Sequence, residues 1–142
     1  MDSLNRKVAI VGVAESDLGR IPHKSKFQLS TEASRRALDE AGLTKDDVDG
    51  VLTTIITAGG EFSSMMMAEY MGITPRYTDS TSIGGSSFVA YVEHAVTAIA
   101  TGRCEVALIC HGSTNLSDRG GRSGPISHST EVFGSTSANE GR

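Results

Sequence analysis

The chain has 142 residues and a formal net charge of −4, enough length for one ordinary hydrophobic core. Its longest cationic cluster is Arg35-Arg36, which leaves no footprint for nucleic acid, and no apolar run reaches the ~20 residues of a membrane span. Two cysteines are too few for a disulfide framework, and Met1–Lys7 lacks the basic-then-apolar order of a secretory leader, so the expected setting is cytoplasmic and reducing.

Val8–Val13 is a continuous apolar run, which predicts a strand buried on both faces. The polar stretch from Ala14 to Gln28, with Gly19 and Pro22, reads as loop. Ser30 is placed to cap a helix running to about Ala41, with Ala33, Ala37, Leu38 and Ala41 on one face and Gly42 beyond its end. Thr44-Lys45-Asp46-Asp47 opens one short helical turn.

Val51–Ile56 predicts a second strand, and Gly59-Gly60 a turn. Phe62–Met71 predicts a helix carrying Met65, Met66, Met67 and Met71, stopped by Gly72. Arg76–Ile83 predicts a third strand with polar residues at alternate positions. Ser86–Ala100 predicts a helix whose wide stripe of Val89, Val92, Val96 and Ile99 calls for burial. Gly102 stops it, and Val106–Cys110 predicts a fourth strand.

The order β-α-β-α-β-α-β predicts an α/β fold with a mainly parallel sheet covered by helices. From residue 113 to 142 the composition shifts to Gly, Ser, Thr and Asn. The expected organisation is an incomplete α/β domain over 1–112 and the start of a Gly/Ser-rich loop region over 113–142.

The stretch Asp79–Phe88 carries the sharpest chemical signal. A strand breaks at Gly84-Gly85 and runs through Ser86-Ser87 into an apolar helix. A helix start offers free N–H groups and the positive end of the dipole, and glycines let a ligand approach the backbone. Many enzymes put a nucleophile at such a turn; here it holds glycine and serine. Ser86 and Ser87 lack a base in reach, since His94 lies two turns along the same helix, and capping is the expected role for both.

Cys110-His111 ends a strand where sites of parallel sheets gather, but neighbours on a strand face opposite ways. Cys110 and Cys104 therefore read as small buried side chains. His23, His94, His111 and His128 have no ligand spacing, so no metal site is expected. Asp79 and Glu61 read as single carboxylates. Met65, Met66, Met67 and Met71 read first as core, with an acyl-binding surface as the second reading. Neither a phosphate loop nor a dinucleotide fingerprint occurs.

Several of these pieces, in this order, resemble one family. Val8–Ser16 with Leu18-Gly19-Arg20, the helix ending Ala37-Leu38-Asp39-Glu40-Ala41-Gly42-Leu43, and the junction Ala98–Ile109 resemble thiolases of the sterol-carrier and lipid-transfer type. The resemblance runs from about Lys7 to Gly112. It implies the N-terminal part of a thiolase-like fold, layered αβαβα when complete. The family's catalytic histidine and second cysteine lie in a second half to which nothing here corresponds.

Counting back from Ala98–Ile109 puts the family's nucleophilic cysteine at Gly85, which cannot be acylated. Gly84, Gly85, Ser86 and Ser87 are then substrate-binding positions, and the catalytic acid and base are left unassigned. The pattern is similar to members that cleave a steroid-like acyl-CoA by retro-aldol chemistry. The resemblance further implies an acyl-CoA substrate, with coenzyme A present only as part of it and no other cofactor. It implies a homodimer paired through Arg76–Ile83, or a hetero-oligomer with an OB-fold partner. The alternatives are a non-catalytic thiolase-like binding or scaffold subunit, and an acetyl-CoA acetyltransferase.

Overall fold

A computed structural model describes residues 7–54 and 62–118. Its elements are α1 (Lys26–Ala41), a 3₁₀ turn (Lys45–Asp47), β1 (Gly50–Leu52), α2 (Ser63–Met71), β2 (Tyr77–Asp79), α3 (Ser87–Ala100), β3 (Ala107–Ile109) and α4 (Asn115–Asp118). The three strands form a parallel sheet in the order β2-β1-β3, with Val51 opposite Thr78 on one side and Leu108 on the other. Among the described residues, no helix is long and apolar enough to cross a membrane.

Side chains alternate across a strand, so β1 feeds two cores. Val51 joins Leu38, Met67, Met71, Ile73 and Leu108 on the face covered by α1 and α2. Leu52 joins Tyr91 and Ala95 of α3 on the other face, with Phe88, Ala107 and Ile109 packed beside them. Val51 and Leu52 are both fully buried, which stabilises the fold by about 1.5–3 kcal/mol for each.

Asp49 binds the starts of all three strands together. Its Oδ1 accepts from the N–H of Glu105 and Val106 at 2.8 and 2.9 Å, and its carbonyl accepts from those of Arg76 and Tyr77. The stops read from the sequence hold for the first two helices, with Gly42 and Gly72 at φ 69° and 68°. Asp47 accepts from the backbone and hydroxyl of Thr44 at 2.7 and 2.8 Å, closing the short turn expected there.

Three expectations need correction. First, α1 begins earlier than expected. Ser25 is its cap and exchanges hydrogen bonds with Gln28, while Ser30 is buried inside the helix with its hydroxyl unpartnered. The polar loop before α1 hides this start, because the capping pair precedes the first apolar stripe.

Second, Val8–Val13 forms no strand among the described residues. It lies against α1 with Ile10, Val11 and Val13 exposed at 74%, 61% and 73%. The run is pinned at its end, where Val13 N–H donates to Glu40 Oε2 at 2.8 Å. Gly12 is obligatory by contact, since a Cβ there would sit 2.1 Å from the Ala37 carbonyl oxygen.

Third, α3 is only partly buried: Tyr91, Ala95 and Ala98 face the core, while Val89 and Val92 are exposed. The observed strands are also shorter than their apolar runs. The predicted end of the second strand at Ile55-Ile56, the Gly59-Gly60 turn, Glu61, His128 and the tail beyond residue 118 lie outside the described residues. Within 113–118, expected to be loop, the short α4 accepts the Ile21 N–H through Ser117 Oγ at 2.8 Å.

The loop before α1 is held by exposed charges. Lys24 and Arg36 each bridge Asp17 and Glu32. The hydrogen bonds from Lys24 and then Arg36 hold the Asp17 carboxyl down at about 2. α2 divides its methionines, with Met67 and Met71 in the core and Met65 and Met66 on the surface beside Phe62 and Tyr70.

Candidate functional site

Parallel strands all end at one edge of the sheet, so their C-terminal residues share one neighbourhood. Thr53 and Thr54 follow β1, Ser80 follows β2, and Cys110 and His111 follow β3. The turn from Ile83 to Ser87 then leads into α3 at this edge. Thr53 laces it: its N–H donates to the Asp79 carbonyl at 3.1 Å and its hydroxyl to the Cys110 carbonyl at 2.6 Å.

The Gly84–Ser87 turn has a distinct role for each residue. Gly84 sits at φ 74°, a left-handed conformation that a side chain would strain. Gly85 has no such constraint, and a Cβ built on it would meet nothing within 4 Å. Its glycine is therefore an absence of chemistry rather than a demand of the backbone. Ser87 is fully buried; its hydroxyl accepts from the Ile83 N–H at 2.9 Å and donates to the Gly84 carbonyl at 2.8 Å. Ser86 is exposed at the cap position and its side chain makes no cap bond. Capping was expected of both serines; Ser87 instead fastens the turn, and Ser86 is left open to solvent.

Asp79 is not a lone carboxylate. Its Oδ2 accepts from His94 Nδ1 at 2.5 Å, and its Oδ1 accepts from the Thr81 N–H at 2.7 Å. Burial pushes this carboxyl up, but the hydrogen bonds from Thr81 and His94 outweigh it and hold the group below its ordinary value. Tyr91 donates to the Thr81 carbonyl at 2.6 Å, and its hydroxyl is pushed up to about 12, first by burial and then by the Asp79 charge. Two side chains one turn apart on α3 thus clamp the segment leading into the glycine turn. Fifteen residues separate Asp79 from His94, and no local spacing rule connects them.

Cys110 and His111 face opposite ways, as expected. Cys110 is buried, and desolvation pushes its thiol up to about 11, which keeps it protonated and inert. Cys104 is also buried, and burial raises its thiol. His111 is exposed at the site edge. Its Nδ1 lies 3.3 Å from the Thr54 carbonyl, an acceptor only, so Nδ1 carries the proton of that bond. Its ring stands edge-on to Phe88, in the first turn of α3, at 4.9 Å. A cavity of about 320 Å³ opens here, lined in part by Val13, Ala33, Ser34, Phe88, Cys110 and His111. Among the described residues, no cluster of His, Cys, Asp or Glu could hold a metal.

Known proteins are similar to this chain in sequence and fold. The chain is 32% identical over 105 residues to a 17-hydroxy-3-oxo-4-pregnene-20-carboxyl-CoA lyase of Mycobacterium tuberculosis, which covers 74% of this chain and 27% of the lyase. The structure matches that of an Ltp2-ChsH2(DUF35) aldolase with a TM-score of 0.67 and 27% identity, over 87% of this chain and 30% of the other. It also matches a monomeric SCP2-thiolase like protein of Mycobacterium smegmatis with a TM-score of 0.55 and 26% identity, over 70% of this chain and 22% of the other. The chain belongs to the thiolase superfamily. It spans about a quarter of the length of the lyase it matches, and its α/β architecture is one part of the thiolase-like fold. No protein-family model matches it.

Proposed function

We propose that the chain forms part of an acyl-CoA lyase and holds the substrate thioester at the Gly84–Ser87 turn during a retro-aldol cleavage without a nucleophilic cysteine. One observation carries this reading: the turn at the start of α3 has room for a side chain at Gly85 and carries no thiol, while both cysteines are buried elsewhere. The names of the lyase and aldolase relatives support the reaction class.

The chemistry suits such a turn. A base takes the proton of the 3-hydroxyl, the Cα–Cβ bond breaks, and a ketone or aldehyde leaves. The electron pair stays on the thioester as an enolate, which a proton then quenches at carbon. No acyl-enzyme forms, so the protein needs donors at the thioester oxygen and an acid/base pair. The Ser87 and Val89 N–H groups already donate to the Gly84 and Ser86 carbonyls, and the remaining N–H groups at the start of α3 are suited to be such donors. Coenzyme A enters as part of the substrate.

The β2 edge of the sheet is unpaired among the described residues, which supports pairing with a second copy there. The relative whose name joins Ltp2 to ChsH2(DUF35) supports a hetero-oligomer instead; an OB-fold chain is the partner we propose for it.

The test is release of a ketone or aldehyde from a 3-hydroxyacyl-CoA by the complete assembly, and absence of release overturns the lyase reading. Intact mass after acetyl-CoA treatment separates it from acyl transfer. The chain should stay unmodified, whereas Gly85→Cys should gain one acetyl group, because that position accepts a side chain without strain. An acetyl adduct on Ser86 or Ser87 of the unaltered chain would sink the cysteine-free mechanism.

A further inference from the structure

A retro-aldol cleavage needs a base, and the C-terminal edge of the sheet offers a short choice. Asp79, Tyr91, His94, Cys110 and His111 are the ionisable side chains already placed there. The first four are committed. Asp79 accepts from His94 and from the Thr81 N–H. Tyr91 is fully buried and donates to the Thr81 carbonyl. Cys110 is buried, and desolvation keeps its thiol protonated. His94 spends Nδ1 on Asp79 and stands two turns along α3 from Ser86, about 12 Å along the axis.

His111 differs in each respect. It is exposed, and its ring is held from two sides. Nδ1 donates to the Thr54 carbonyl at 3.3 Å, and the ring stands edge-on to Phe88 at 4.9 Å. A proton fixed on Nδ1 leaves the lone pair on Nε2 as the acceptor of the ring. Among the described residues, no donor occupies it. Phe88 ties this ring to the turn. It is the second residue of α3, and its N–H has no acceptor among the described residues, whereas the Ser87, Val89 and Ala90 N–H groups take the Gly84 and Ser86 carbonyls. One residue thus carries a free donor on its backbone and the His111 ring against its side chain.

We propose that His111 is the base of the retro-aldol step, a role that rests on the lyase reading. Nε2 takes the proton of the substrate's 3-hydroxyl as the Cα–Cβ bond breaks and the new carbonyl compound departs. The electron pair passes to the thioester oxygen, to which the Phe88 N–H is free to donate. Nε2 then returns the same proton to Cα, so the ring ends as it began and the step balances without a further reactant. The Thr54 carbonyl holds Nδ1–H throughout and fixes the angle of the ring.

The test is ketone or aldehyde release from a 3-hydroxyacyl-CoA by the complete assembly, with and without substitutions at His111. His111→Ala should lower kcat about 100-fold or more, with KM changed less than about threefold, because a proton transfer acts in the transition state. Added imidazole should recover part of that rate in proportion to its free-base concentration. His111→Phe keeps a ring against Phe88 and has no lone pair. Its thermal melt should stay near that of the unaltered chain, its kcat should fall as far, and imidazole should not rescue it because the ring fills the space. An active His111→Phe, or a slow His111→Ala that imidazole fails to restore, overturns the role of His111 and leaves the lyase reading standing, since the unaltered assembly still releases product. No release by the unaltered assembly overturns both.

Discussion

Val51-Leu52 and Val8–Val13 are equally apolar, yet the first pair is fully buried and the second run has three exposed large side chains. Val51 and Leu52 have a strand on each side and a helix on each face. Val8–Val13 has α1 along part of its length and borders a cavity of about 450 Å³. Apolar composition thus specifies that a segment wants to be a buried strand, while burial itself depends on a neighbour supplying the ladder.

That contrast can be broken by mutation. Leu52→Ala should cost about 2–5 kcal/mol in urea unfolding, through lost transfer energy and the cavity left between β1 and Tyr91. Ile10→Ala should change stability by less than about 0.5 kcal/mol, because the side chain is already in water. Equal costs would mean that the run is buried in solution and the contrast is false.

Gly12→Ala comes next. The new Cβ would strike the Ala37 carbonyl, so a loss of about 1–3 kcal/mol or release of the run from α1 is expected, seen as faster exchange of the Val13 amide. Gly85→Ala should be within about 0.5 kcal/mol of the unaltered chain, since its site is open.

The neighbouring serines should separate by a smaller margin. Ser87→Ala removes two hydrogen bonds that close the turn and should cost about 1–2 kcal/mol, whereas Ser86→Ala should be neutral in the same thermal melt.

The smallest effect is on pH dependence. The folded Asp79 carboxyl lies below its ordinary value, so its contribution is complete above the unfolded value of about 3.9. It is lost as pH falls through the lowered folded value. Asp79→Asn should therefore lower stability near neutral pH and flatten the acid limb of urea midpoints below about pH 5. An unchanged acid limb would detach Asp79 from the clamp on α3.

The alternation of helices and strands from α1 to β3, the glycine stops at Gly42 and Gly72 and the opposed faces of Cys110 and His111 were all legible in the residues, because period, φ preference and strand alternation are local properties. So was the thiolase kinship, carried by the order of several short matches. The glycine turn before α3 was legible as a turn, but its fastening was not. Ser86 and Ser87 are indistinguishable as residue types, and only the path of the chain decides which hydroxyl meets Ile83 and Gly84. The Asp79–His94 pair was equally hidden, because two side chains fifteen residues apart meet only when β2 and α3 pack. Sequence determined what each segment prefers to be; tertiary structure decided which preferences are met, because a strand and an ion pair both need a partner from elsewhere in space.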